Sequence, residues 1–557
     1  MNTLRRIFGQ LFGLDRFARD TSGGTARRAT VRELRKGKLL GGRGDLYLGA
    51  VKGVLRWRIA TLPDQTSGDG EALEVIGPAG SGKTTYLVDN ILGQIGQDNS
   101  AVINDPKLDI FLACAPGLAA GGHRILIFAP LLGVGDRYDP LAQVTDADEA
   151  RRAAEDWISA QERSTAQPFF DRLEQALLGA TLWYHKIAVP GATIQDVRTF
   201  VTGATAQAML GQFQRAAERY QDAVLATMCG TLTALMDAPE ARGGVLAGFG
   251  GRFDFLASAR LRAATSGNDI WFQDLLGEPT ILFISIPPSD GRTGGLVPLA
   301  NNVWGTLLRR VQEAGGSAQA RLERPLRVYI DEASSVAVPH LSNALKTLRA
   351  KGATVVVAHH GIDTLIATYE EREARAIRAA ASTHALLPGA PLEDCRFMAD
   401  VAGMKTAKAR SGGRQAGAHH GLWGGRVSGW SSIARYLKDP SELRRLPRGE
   451  MFVVSKNMNA FQVRVRPYFA YKALRRALAE ARRALAVHDP HLADVVDAIE
   501  GGHFDAPRYA QEPDVCEASS ATPSRTRDLG TTGGAGGCKE YAPPRRRTRA
   551  LAQDQSV

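Results

Sequence analysis

At 557 residues the chain is too long for one ordinary hydrophobic core and implies two or three folding units with tails. Hydrophobic residues at 44% and charged residues at 23% describe a soluble globular protein, and no run of about 18 apolar residues exists, which argues against a transmembrane helix; no secretory signal is visible. The net charge of +11 sits largely in Met1 to Ala60, where 14 Lys and Arg face 4 Asp and Glu, so this segment favours nucleic acid or an anionic membrane surface.

Near the start, Leu4, Ile7, Phe8, Leu11, Phe12 and Leu14 recur at helical spacing with Arg5, Arg6 and Arg16 among them. Such a helix suits a membrane surface, a partner, or its own domain. Short strands are expected at Leu46 to Leu48 and Val54 to Ile59. The stretch Leu73 to Asn90 then carries the strongest signal: a strand-like run, a glycine-rich turn and an apolar helix. Gly77, Gly82, Lys83 and Thr84 fill the GxxxxGK[ST] template. Gly77, Pro78, Ala79, Gly80, Ser81, Gly82, Lys83, Thr84 and Thr85 thus form an expected phosphate cradle for ATP. There Lys83 would reach the β- and γ-phosphates, and the Thr84 hydroxyl would take a position on Mg²⁺.

Strands follow at Ala101 to Asn104, ending in Asp105-Pro106-Lys107, and at Ile125 to Phe128, ahead of Asp136-Arg137-Tyr138-Asp139-Pro140-Leu141. From about Thr145 to Gly267 the spacing is helical and β-branched runs are nearly absent, so an all-α insertion is expected, with Thr193 and Asp196 marking one helix start. The sheet resumes at Thr280 to Ile286 and at Leu326 to Ile330, which delivers Asp331-Glu332. Those acids suit Mg²⁺ binding by Asp331 and water activation by Glu332. Thr354 to Ala358 leads to His359-His360, with His360 a candidate sensor of the γ-phosphate. Further strands are expected at His384 to Leu387 and Met451 to Val454.

Between Met404 and Ser432 a Gly-rich segment carries Lys405, Lys408, Arg410, Arg414, Arg426, Trp423 and Trp430 and no acid, which suits a loop that grips a phosphate backbone. Leu474 to Ile499 is a charged outer helical stretch, and beyond Phe504 the Pro, Gly, Ser and Thr content predicts a disordered tail. The five cysteines, Cys114, Cys229, Cys395, Cys516 and Cys538, lack CxxC spacing and fit a reduced, cytoplasmic setting. The expected organisation is a basic arm (1–60), a nucleotide-binding domain in two parts (61–144 and 268–472) interrupted by the all-α domain (145–267), an outer helix (473–503) and the tail (504–557).

In their order, GPAGSGKTT at Gly77, NDPK at Asn104, DRYDPL at Asp136, QPFFDRLEQALLGATLWY at Gln167, ISIPPSD at Ile284, YIDEASSVAVPHLSNALKTLRAKG at Tyr329, LIATY at Leu365 and LRRLPRGEMFVV at Leu443 resemble the type IV secretion coupling proteins, the TraG/TraD-type conjugation ATPases. The resemblance covers roughly Thr25 to Phe469. It implies an α/β fold with a RecA-like P-loop NTPase core, a mostly parallel sheet and an inserted all-α domain. It also implies a homo-hexameric ring that binds ATP between subunits and moves DNA, single-stranded and brought by a relaxase, toward secretion-channel ATPases. Carried onto this sequence, Lys83 and Thr84 hold phosphate and metal, and Asp331 and Glu332 form the second acidic motif. In a ring an arginine from the adjacent subunit would stabilise the transition-state charge, and Arg137 and Arg349 are candidates. Two departures stand out. The membrane-spanning hairpin common in the family is not seen, which leaves a cytoplasmic protein with a peripheral membrane contact or a separate anchor protein, and His360 stands where glutamine is common. Two other readings are a substrate receptor in which ATP is an assembly switch, and a cytoplasmic packaging or repair motor.

Overall fold

A computed structural model describes residues 21–41, 46–53, 57–63, 70–158, 168–237, 246, 248–287, 295–314, 316, 321–334, 337–414, 426–456, 458–502 and 508–509. The helical pattern of Leu4 to Leu14, Trp423 and nearly all of the tail lie outside these residues.

The centre is a sheet of 13 strands. Its core runs parallel in the spatial order β5 (Arg124–Ala129), β7 (Thr280–Ile284), β4 (Ser100–Asn104), β8 (Leu326–Ile330), β9 (Thr354–His359), β3 (Ala72–Ile76) and β10 (Thr383–Leu386). Every residue of β3, β4, β7, β8 and β9 is buried. Helices cover both faces, so these strands read as continuous apolar runs rather than as an alternation. Beyond β10 the sheet turns antiparallel through β13 (Glu450–Ser455), β14 (Phe461–Arg464), β1 (Leu46–Lys52) and β2 (Trp57–Leu62). The basic N-terminal segment therefore supplies two strands to the sheet. At the other edge β6 (Val134–Gly135) pairs antiparallel with β5, and β15 (Arg508–Tyr509) lies parallel to β6.

One face packs against helices Lys83–Leu92, Asp109–Ala120, Lys472–His488 and Pro490–Gly501. The opposite face shares a continuous core with helices Val297–Glu313, Leu341–Ala350 and Ile362–Ala380 and with the stretch between β6 and β7. From Ala147 to Ala264 that stretch contains no strand among the described residues. One of its helices, Ile194–Gly203, starts with a capping box in which Thr193 and Asp196 satisfy each other's backbone N–H groups. Where the stretch is anchored, Arg309 binds Glu149 at 3.0 Å and also Asp156, tying helix Ala147–Trp157 to helix Val297–Glu313.

The Gly-rich basic segment is not a loop. β11 (Met404–Arg414) and β12 (Arg426–Tyr436) form a separate antiparallel ribbon whose register sets Arg410 opposite Trp430 and Arg414 opposite Arg426. The ribbon pairs as its own two-stranded sheet, so little packing imposes the apolar alternation by which a strand is normally recognised. The N-terminal segment runs along its base: Thr25 bridges Lys405, Ala26 N–H donates to Met404 O at 2.8 Å, and Thr406 N–H donates to Gly24 O at 3.1 Å. Among the described residues no helix is long and apolar enough to cross a membrane.

Candidate nucleotide site

Strand β3 ends at Ile76, and the chain turns through Gly77 to Gly82 into helix Lys83–Leu92. Gly80 (φ 74°) and Gly82 (φ 100°) both occupy the left-handed region, where a side chain is strained although nothing would obstruct a Cβ. At Gly77 the constraint is space, since a Cβ would sit 2.5 Å from Ser81 Oγ and 2.9 Å from Leu387 Cβ. No side chain caps the helix. Its first-turn N–H groups and dipole are therefore open to an anion. Ser81 Oγ is buried without a partner, an unmet hydrogen-bonding group inside the turn. Pro78 and Thr85 are half-buried and Ala79 is exposed along the same rim.

Lys83 is buried, and its ammonium donates to Gly77 O at 2.8 Å and Pro78 O at 3.2 Å while lying 3.2 Å from His360 Nδ1. Burial lowers the Lys83 pKa against the opposing pull of Asp331 and Glu332. His360 shifts down too, through burial and then the Lys83 charge, which favours a neutral ring. Strand β9 separates β3 from β8, so the cradle strand and the strand bearing Asp331-Glu332 run about 10 Å apart. The helix closes that gap: Thr84 Oγ1 donates to Asp331 Oδ2 at 2.9 Å. Burial raises the Asp331 pKa, while the Thr84 bond opposes the shift.

Glu332 adopts φ 52°, a strained conformation for a residue with a side chain. Its N–H donates to Asp331 Oδ1 at 3.0 Å, and its carboxylate forms an ion pair with Lys107. Asn104, at the end of β4, donates from Nδ2 to Asp331 O at 2.9 Å. The structure thus gathers Lys83, Thr84, Asp331, Glu332 and His360 at one end of the sheet and adds Asn104 and Lys107. Asn104 closes the buried strand β4 and Lys107 follows in the turn beyond it, a polar exit from an apolar run that is visible in the sequence. This donor set fits a Mg²⁺-bound triphosphate: N–H groups and a lysine for phosphate, and a hydroxyl beside a carboxylate for a hard cation.

The two arginine candidates differ sharply. Arg137 donates from Nε and Nη2 to the two carboxylate oxygens of Asp269, each at 2.9 Å, and so clasps the exit of the helical stretch to the loop that precedes it. Arg349 is exposed, near the opposite end of the strands, where its carbonyl receives the Gly70 N–H.

A parallel sheet with a glycine cradle at one strand end and an Asp-Glu pair two strands away defines a RecA-like P-loop NTPase. The model of the type IV secretory system conjugative DNA transfer family matches residues 33–488, and the chain belongs to that family. Among solved structures, the unbound bacterial conjugative coupling protein TrwBdeltaN70 is 18% identical with a TM-score of 0.57, covering 80% of this chain and 95% of that one. The plasmid coupling protein TrwB in complex with the ATP analogue ADPNP is 16% identical (TM-score 0.57; 80% and 96% covered), and TrwB with ADP and Mg²⁺ is 17% identical (TM-score 0.55; 80% and 96% covered). No curated protein sequence matches the chain.

Proposed function

We propose that the protein hydrolyses ATP and uses the energy to move DNA toward a type IV secretion channel. The observation that carries this reading is the meeting of Lys83, Thr84, Asp331, Glu332 and His360 from three separate elements at one strand end. In it, Lys83 and the cradle N–H groups hold the phosphates, and Thr84 and Asp331 hold Mg²⁺, which when bound neutralises charge on the phosphate oxygens. Glu332 orients the attacking water and accepts its proton as the oxygen bonds to the γ-phosphorus and ADP leaves. His360 monitors the γ-phosphate end of the site. Binding of ADPNP and of ADP with Mg²⁺ by TrwB supports the choice of nucleotide.

The working assembly is a homo-hexamer with ATP shared between neighbours, and Arg349 supplies the positive charge in trans, because Arg137 is already bound to Asp269. The ribbon β11–β12 and the adjoining basic N-terminal segment contact the DNA strand delivered by a relaxase, on the cytoplasmic side of the membrane.

The test is ATP turnover with and without single- and double-stranded DNA. DNA-stimulated turnover is expected. A well-folded ring that hydrolyses ATP at the same rate with and without DNA, or not at all, would favour a receptor that uses nucleotide only as an assembly switch.

A further inference from the structure

Directly behind the cradle, five ionisable side chains meet inside the core. Glu74, in the middle of β3, is fully buried and accepts from His359 Nε2 at 2.8 Å, from His384 Nδ1 at 2.6 Å and from Arg378 Nε at 2.9 Å. Arg378 also forms an ion pair through Nη2 with the buried Asp394, and Phe397 covers its guanidinium at 4.8 Å. Asp394 in turn accepts the Ile362 N–H, 3.3 Å from each oxygen. Burial opposes ionisation of Glu74, but the bonds from the two histidines and the Arg378 charge outweigh it and hold the carboxyl well below its usual range.

The placement of these bonds is specific. His359 and Ile362 flank His360 on either side, and each is bound to one of the two carboxylates that Arg378 bridges. At Gly361 a Cβ would lie 2.8 Å from Asp394 Oδ2 and 2.7 Å from Pro391 Cγ, so the turn is shaped to bring Asp394 onto it. The carbonyl of His359 also receives the N–H of Gly77, the first cradle residue, at 3.2 Å. The Ile362 bond also satisfies the first free N–H of helix Ile362–Ala380, so the cluster holds the start of that helix as well as the strands, on both sides of the half-buried His360.

We propose that Arg378 is a positioning residue for ATP hydrolysis: by bridging Glu74 and Asp394 it fixes the His359–Ile362 turn and so aims the His360 ring at Lys83 and the phosphate end of the cradle. This rests on the reading of His360 as the phosphate sensor. The planar guanidinium reaches the two carboxylates with separate nitrogens, Nε on Glu74 and Nη2 on Asp394, whereas a lysine offers one nitrogen without that fixed fork.

The test is a double-mutant cycle on steady-state ATP turnover, with Arg378→Lys and Asp394→Asn each made alone and in a His360→Ala background, alongside affinity for a fluorescent ADP analogue. Asp394→Asn keeps an acceptor for Ile362 but loses the charge and one of the two oxygens that Arg378 and Ile362 share, so it weakens the bridge even where Arg378→Lys folds poorly. Each single change is expected to lower kcat about tenfold or more while KM and ADP affinity move by less than about twofold, and neither should lower kcat further once His360 is alanine. Losses that multiply with that of His360→Ala would overturn this inference and leave the sensor reading standing. An unchanged kcat in His360→Ala itself would remove the sensor reading and this inference with it.

Discussion

The Thr84 hydroxyl donates to the Asp331 carboxylate at 2.9 Å although the two residues are 247 positions apart and β9 runs between their strands. The bond ties the start of the helix after the glycine turn to the acidic pair of the candidate site. Lys83→Ala should therefore weaken ATP binding by about ten- to a hundredfold, the worth of a charge-assisted bond. Glu332→Gln should bind ATP normally and lose at least about a hundredfold in turnover. Nucleotide titration alongside phosphate release separates the two; equal loss of binding in both variants would contradict the division of roles.

Arg137 and Arg349 should differ in what they affect. Breaking the Arg137–Asp269 clasp by Arg137→Ala should destabilise the fold by about 1–3 kcal/mol, read as a lower melting temperature. Arg349→Ala should leave the melting temperature unchanged and reduce turnover by about a thousandfold or more. Mixing it with Lys83→Ala protein should restore part of the activity through mixed interfaces. Intact stability and lost turnover in Arg137→Ala would reverse the assignment.

Gly305 lies beneath Asp156, and a Cβ there would collide with the carboxylate that pairs with Arg309. Gly305→Ala should destabilise by about 1–3 kcal/mol in chemical denaturation, because the buried ion pair joining two helices must open. A neutral outcome would mean that the helix Ala147–Trp157 is loosely held.

The glycine turn and the Asp331-Glu332 pair are legible because their residue types stand at fixed spacings beside apolar runs, and the buried parallel strands are legible as those runs. What sequence reading missed involves partners distant in the chain. Nothing local marks Arg137 as bound to Asp269 or Lys107 as bound to Glu332. The β11–β12 ribbon was missed because its Gly- and Ser-rich strands show no apolar alternation. Glu74 was visible as a charge within an apolar strand, but its partners His359, His384, Arg378 and Asp394 come together only in the folded sheet.

Asp89, on the cradle helix, accepts the Tyr468 N–H at 2.5 Å through Oδ1, while its other oxygen is buried without a partner. Burial pushes its pKa up to about 7. Because the folded value lies above the unfolded one, near 4, this group favours folding at low pH and its contribution is lost as pH rises through about 7. Asp89→Asn should then raise the melting temperature at pH 8, with the gain shrinking at pH 5. Equal shifts at both pH values would show that Asp89 does not titrate in this way.

The most direct test of the central claim is movement itself: displacement of streptavidin from an end-biotinylated DNA strand by the full-length protein, followed with and without ATP. Displacement by the wild type should depend on ATP, and Glu332→Gln should show none. ATP hydrolysis by the wild type, stimulated by the same DNA yet with the streptavidin left in place, would contradict that claim.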